Sequence, residues 1–317
     1  MKKQILSMGL VVMVMLLSVG RLSAQESKVV APGAELKKLE GEYSFTEGPT
    51  ADEEGNVYFT DQPNDRIMKW NAADGTVIEW MKPAGRANGL MLTPEGNLLA
   101  AADEKNQLWS ISTNKTVTVL VENVGDKLLN GPNDVWKTAK GHLYFSDPLF
   151  ARDYWKRDPA MQQPGQYVYL IAAGSKEPKA ILMDLKQPNG LIESADGKML
   201  YVADMGENKT YVYDIQEDGS LENKRLFCNL GSDGMTIDDQ GNLYLTGRGV
   251  IIFDKTGKQI ERISVPQSWT SNVTFAGAER DELFITASKA IYSIKMQVKG
   301  VERKGEKKAE EPNKETD

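Results

Sequence analysis

Residues 47–61, EGPTADEEGNVYFTD, read as a strand, a glycine turn and a second strand. The pattern returns as NGLMLTPEGNLLAA from Asn88, NDVWKTAKGHLYFSD from Asn133 and NGLIESADGKMLYVAD from Asn189. It returns again as DGMTIDDQGNLYLTG from Asp233 and NVTFAGAERDELFITA from Asn272. Each copy opens on a polar residue eight positions before its turn residue: Gly55, Gly96, Gly141, Gly197, Gly241 and, in the last copy, Arg280. The turn glycines fall 41, 45, 56 and 44 residues apart. Four-stranded units of about that period are propeller blades.

Between the copies lie further short runs rich in β-branched and aromatic residues, such as RIMKW, YVYLI, TYVYDI and VIIFD, separated by Asp-Gly and Thr-Gly turns. No segment after the first 24 residues has an amphipathic helical period. The fold class is therefore all-β, a six-bladed β-propeller over residues 25–297. Blade 6 runs out of chain after three strands, and a ring must close to hide its edges. A strand around Glu35–Leu39 is expected to complete it. The long gap after Gly141 marks an insertion in blade 3 from Leu149 to Gln166, bearing Phe150, Arg152, Tyr154, Trp155 and Met161.

Both ends of the chain differ from this repeat. Lys2 and Lys3 precede an apolar run from Ile5 to Val19, and Leu22-Ser23-Ala24 forms a small-residue cleavage site. A secretory signal peptide over residues 1–24 is expected, hence a periplasmic or secreted protein with no membrane attachment after cleavage. The other reading, a retained anchor, is opposed by Arg21, which cuts the run short of a comfortable span. From about Val298 the tail is charged and lacks aromatics, and is expected to be disordered. The formal charge of −7 falls further once Lys2, Lys3 and Arg21 are removed. That argues against nucleic acid or anionic membranes as partners and is compatible with binding a cation. Cys228 is the single cysteine, so no internal disulfide can form. A monomer is expected.

A residue fixed in phase with a repeat occupies one structural place copied around the ring. Here that place holds two carboxylates and four amides. It begins the innermost strand, and small residues (Gly48, Gly89, Gly190, Gly234) follow it in most copies. Converging carboxylate and amide oxygens suit a hard divalent cation. Glu47 and Asp233 would balance its charge, while Asn133 and Asn189 add neutral oxygens. Such residues could instead hold only buried water. The loops after the second strands lie on the same face and carry Asp61, Asp103, Asp147, Asp204 and Arg248, some of them as turn stabilisers. The blade 3 insertion is placed there too, as a lid or substrate wall. His142, the single histidine, occupies a turn position away from the channel, so a Ser-His-Asp or Cys-His relay is excluded.

Four motifs, EGP at 47–49, PNDV at 132–135, PNGL at 188–191 and SDGM at 232–235, together with LYFSDP at 143–148, resemble the regucalcin/gluconolactonase family. The resemblance implies a six-bladed propeller that holds a divalent metal in its channel and opens sugar lactones. It makes Glu47, Asn133, Asn189 and Asp233 metal ligands, with Asp233 also the acid/base carboxylate and Asn133 a catalytic contact. Asn88, Asp134, Asp147, Phe150, Tyr154 and Arg248 are candidate substrate contacts. All-oxygen donors favour Ca²⁺ over Zn²⁺, Mg²⁺ or Mn²⁺. Animal members carry an Arg where this chain has Gly131, which leaves sugar recognition to other groups, the insertion among them. The alternatives are a non-enzymatic propeller that binds a glycan or protein around a structural ion, and an aryl-esterase or phosphotriesterase on the same site.

Overall fold

The computed structural model describes residues 27–301. The expected leader over residues 1–24 lies outside them, as does the chain from residue 302. Six four-stranded antiparallel sheets follow one another along the sequence. Blade 1 comprises Thr46–Ala51, Val57–Asp61, Arg66–Trp70 and Val77–Met81, and blade 2 Ala87–Leu92, Leu98–Ala102, Gln107–Ile111 and Val117–Val121. Blade 3 is built from Val135–Lys137, Leu143–Asp147, Tyr167–Ile171 and Pro178–Leu182, and blade 4 from Pro188–Glu193, Met199–Asp204, Lys209–Ile215 and Leu221–Cys228. Blade 5 has Met235–Ile237, Leu243–Gly247, Gly249–Phe253 and Gln259–Ile263; blade 6 has Asn272–Ala276, Glu282–Ala287 and Ala290–Lys295. The first strand of every blade touches the first strands of both neighbours, so the inner strands close into a ring.

The N-terminal segment closes blade 6 as expected. Lys37 pairs with Ser293 and Lys38 with Tyr292, and the Leu39 amide donates to the Ile291 carbonyl at 3.0 Å. At the other end the fold runs past the boundary expected at residue 297. Val298 is buried, Gly300 bridges to Asp238, and Val301 packs between blades 4 and 5. Two apolar residues spaced along a charged tail are enough to carry it onto the sheet edge.

Why these strands are apolar on both faces follows from the packing. The second strand of blade 3 sends Leu143 and Phe145 into the interface with blade 2, while Tyr144 faces blade 4. In blade 4, Leu200 and Val202 face blade 3, and Tyr201 and Ala203 face blade 5. Side chains alternate across a strand, so a sheet packed on both sides needs hydrophobes at every position. The turns fit the repeat too: the five glycines have φ between +72° and +87°, and Arg280 fills the sixth turn at φ +54°. His142 is buried at this end. Its Nδ1 accepts the Ala173 amide at 3.2 Å, which leaves Nε2 to donate to the Glu217 carbonyl at 3.2 Å.

Candidate active site at the channel mouth

Five of the six polar residues turn toward the channel because the ladder breaks at them. The pairing register shifts between Glu47 and Thr50, between Ala87 and Leu90, and between Pro188 and Leu191. In blades 3 and 5 the inner strand is laddered only from Val135 and Met235, two residues beyond Asn133 and Asp233. A bulge at a strand end re-aims a side chain, here toward the channel. The small residue that follows is needed for approach between blades. A Cβ on Gly48 would stand 2.2 Å from the Asn88 carbonyl oxygen, and one on Gly89 2.4 Å from that of Asn133. Blade 6 lacks the break: Asn272 pairs regularly with Thr286. Its Oδ1 accepts its own neighbour's amide, Val273, at 2.8 Å, and its side chain lies against Gly234.

Asp233 is the centre of the constellation. Its Oδ1 accepts Asn189 Nδ2 at 2.8 Å and its Oδ2 accepts Trp269 Nε1 at 2.6 Å. Desolvation pushes the carboxyl up to about 6, against the pull of those two hydrogen bonds and the charge of Arg152. Glu47, 3% exposed, is raised well above the usual carboxylate range, first by burial and then by the charge of Asp233; the Gly48 amide and Arg152 pull it back. Two carboxylates thus sit close enough to resist ionising together. Asn133 is fixed through its backbone, which accepts from Gly89 at 2.7 Å and donates to the Ser146 carbonyl at 2.9 Å. Among the described residues no hydrogen bond ties the Asn133 side chain to Asp233, whereas Asn189 is bonded to it directly.

The remaining candidates divide by where their polar atoms go. Asn88 is buried and its Oδ1 has no partner, as at the Asn189 position. Asp134 spends Oδ1 on the Val135 amide at 3.0 Å and Oδ2 on the Leu191 amide at 3.2 Å. It therefore ties blade 3 to blade 4, and burial pushes it up to about 7. Asp147, expected among the substrate contacts, is committed to backbone amides. It is fully buried, and its oxygens accept the Asn130 amide at 2.9 Å and the Gly131 amide at 2.8 Å. It is a turn carboxylate, as are Asp61 on Ser44 and Phe45 and Asp204 on Lys186 and Gln187. Tyr154 turns its hydroxyl onto Asp103 Oδ2 at 2.7 Å. Phe150 lies under the Arg152 guanidinium at 5.9 Å. Arg248 is exposed, and its carbonyl accepts Arg262 Nη2 at 2.9 Å.

Two site residues escape the repeat. Trp269 stands three residues before Asn272, where the other blades have Ser44, Gly85, Asn130, Lys186 and Leu230. A lone indole at a position otherwise held by smaller or flexible residues was the available signal. Arg152, on the insertion, donates Nε to Asp103 Oδ2 at 2.9 Å; its charge favours the ionised forms of both Glu47 and Asp233.

A divalent cation fits these residues. The Asn189 Oδ1 is a buried acceptor without a donor, beside two carboxylates whose mutual repulsion a positive charge would remove. Among the described residues no group of three or more His, Cys, Asp or Glu side chains gathers as a metal cluster. The donor set is therefore two carboxylates completed by amide oxygens, a hard-cation set.

A family model described as the SMP-30/Gluconolactonase/LRE-like region matches residues 45–289. A gluconolactonase of Zymomonas mobilis is 26% identical over 295 residues, covering 84% of this chain and 82% of its own. A regucalcin of Xenopus laevis is 26% identical over 265 residues, covering 78% and 84%. Among solved structures, a gluconolactonase of Xanthomonas campestris superposes with a TM-score of 0.76 at 25% identity, covering 84% of this chain and 91% of that one.

Proposed function

Because the chain belongs to the SMP-30/gluconolactonase/LRE-like family, we propose that it hydrolyses a sugar lactone at the channel mouth, with Asp233 moving the proton. The observation that supports this most is the hold on Asp233. It is gripped on one oxygen by Asn189 and on the other by Trp269, and poised at about 6. A base with that value is largely ionised near neutrality, yet basic enough to take a proton from water.

Water adds through its oxygen to the lactone carbonyl carbon, and the proton it loses passes to Asp233. The bond between that carbon and the ring oxygen then breaks. Asp233 returns the proton to the departing ring oxygen, leaving an open-chain hydroxy acid. The Trp269 indole and the Asn189 amide hold the carboxylate in one orientation throughout, which a freely rotating Asp would lose. A divalent cation held by Glu47, Asn133, Asn189 and Asp233, with Ca²⁺ favoured by the oxygen donors, would polarise the lactone carbonyl. Glu47, held back from ionising by burial and by Asp233, would supply a second negative charge once the cation is beside it.

A pH-indicator assay on glucono-1,5-lactone, run with and without EDTA, tests this reading. Wild-type protein should turn over and lose activity on chelation. Asp233→Ala should lose on the order of 10²–10⁴-fold with its β-sheet circular dichroism intact; wild-type rates in that variant would remove the mechanism. A protein inert on lactones whose melting temperature nonetheless falls with EDTA would be a non-enzymatic, ion-stabilised propeller. Cation uptake gives a separate check. Asp233 titrates at about 6 and Glu47 is raised as well, and a carboxylate ligates only when ionised. Calorimetric affinity should therefore weaken as pH falls through that value. Export belongs to the same reading: it rests on the Lys2–Ala24 sequence, and N-terminal sequencing should find a mature chain starting at Gln25.

A further inference from the structure

The blade 3 insertion is stapled over the mouth. Trp155 Nε1 donates to the Asp103 carbonyl at 3.0 Å, and the amides of Gln162 and Gln163 both reach Asn130 Oδ1 at 3.0 Å. Gln163 Nε2 bonds the Leu128 carbonyl at 2.8 Å. The Trp155 ring closes on Gly131, where a Cβ would stand 2.9 Å from the indole. The space beside Gly131 is thus filled by the insertion, and a long side chain at 131 has no room.

Three guanidinium groups gather in this region, and two are committed. Arg157 bonds the Leu129 carbonyl at 2.7 Å and that of Asn130, with its charge 3.9 Å over the Trp155 ring. Arg86 bonds the Pro63 carbonyl at 2.7 Å, covers Tyr154 at 4.6 Å and faces Glu104 at 3.8 Å. Arg152 differs. Only its Nε is used, on an Asp103 oxygen that Tyr154 at 2.7 Å and Gln62 Nε2 at 3.1 Å also hold. Its two Nη groups meet no acceptor among the described residues, and its side chain is 25% exposed. A guanidinium anchored through Nε presents a pair of parallel N–H donors on its other edge.

We propose that Arg152 is the group that recognises the substrate's sugar, its paired Nη donors taking adjacent hydroxyls of a polyhydroxylated lactone, with Asp103 as its positioning residue. The inference rests on the lactonase reading for the identity of the ligand. Hydroxyls fit better than an anion, because the charge of Arg152 is already matched by Asp103 at 2.9 Å. Arg152 lies within electrostatic reach of both Glu47 and Asp233, so a ring held there lies beside the acid/base carboxylate.

The test compares Arg152→Ala and Arg152→Lys with wild type on two lactones: glucono-1,5-lactone and δ-valerolactone, the same ring without hydroxyls. Arg152→Ala should raise KM for gluconolactone about tenfold or more, the worth of a charged hydrogen bond. The loss in kcat/KM should be at least tenfold greater there than for valerolactone. Arg152→Lys keeps the charge beside Asp103 and loses the fork, so it should recover folding stability but little of the discrimination. Equal losses on the two lactones, or an unmoved KM, would overturn the assignment. A second readout is independent of turnover: calorimetric binding of 1,5-anhydroglucitol, a ring polyol with no carbonyl. If wild type hydrolyses neither lactone but binds this polyol, and Arg152→Ala does not, the hydrolase reading falls and the Arg152 assignment stands. No polyol binding by wild type, or equal binding by the variant, overturns Arg152.

Discussion

Asp147, at the end of the second strand of blade 3, gives both oxygens to the amides of Asn130 and Gly131. Asp103, one residue past the end of the second strand of blade 2, takes three side chains, those of Gln62, Arg152 and Tyr154, on a single oxygen. The difference has a local cause. In blade 2 the amides of Ala84 and Arg86 are met by Asp65, at 3.0 and 2.7 Å. Asp65 can reach them because it sits in the left-handed turn, φ +55°, that ends the short 3-10 helix Gln62–Asn64. With the backbone satisfied from blade 1, Asp103 is released to receive the insertion. The repeat therefore copies the need for an acceptor ahead of each inner strand, while the carboxylate that meets it is set by whichever loop arrives first.

The contrast can be broken by substitution. Asp147→Ala leaves two buried amides without acceptors, and should cost about 3 kcal/mol of stability, measured by urea unfolding. Activity per folded molecule should stay near wild type; a large loss of kcat at full stability would show that Asp147 reaches substrate after all. Asp103→Asn should do the reverse. It keeps a polar group in place and costs about 1 kcal/mol, but it frees Arg152 from its ion pair. KM for gluconolactone should rise roughly fivefold, about the worth of a hydrogen-bonded contact. If Asp103→Asn loses stability as heavily as Asp147→Ala with KM unmoved, the two carboxylates have the same job and the distinction fails.

Much of this was open to reading in the sequence, for reasons that particular residues show. Turn glycines at φ near +80° tolerate few replacements, so their spacing marks the blades, and closure by residues 35–39 follows from the missing strand. Glu47, Asn189 and Asp233 were legible because a bulge position repeats in phase. The failures lie where the partner is not periodic. Trp269 reaches Asp233 from a loop position that holds no indole in any other blade. Asp147 looked like Asp103 because each follows a run of second-strand residues, although the blade 2 strand already ends at Ala102, and nothing nearby in sequence says that Asp65 meets the Ala84 and Arg86 amides of blade 2. Val298 and Val301 were hidden by the lysines and glutamates around them.

Gly131 stands between the two carboxylates and offers the finest adjustment of the contrast. Its amide serves Asp147 Oδ1 at 2.8 Å, while a Cβ would meet Asp103 Oδ1 at 3.0 Å and the Trp155 ring at 2.9 Å. Its φ lies outside the left-handed region, so Gly131→Ala adds volume without backbone strain. The Asp147 side is bound through the backbone and should hold. The insertion side must give by a few tenths of an ångström, because the indole is the movable partner. Overpacking of one methyl costs about 1 kcal/mol, and backing Trp155 away also draws Arg152 off the mouth. Gly131→Ala should therefore raise KM for gluconolactone about twofold to threefold, an effect on the order of half a kcal/mol, with kcat preserved. Removing the indole as well, in Gly131→Ala/Trp155→Phe, should recover part of the stability but none of the KM, since the anchor of the insertion to the Asp103 carbonyl is then lost. A double variant that regains wild-type KM would mean that Trp155 blocks substrate and that the insertion plays no part in recognising it.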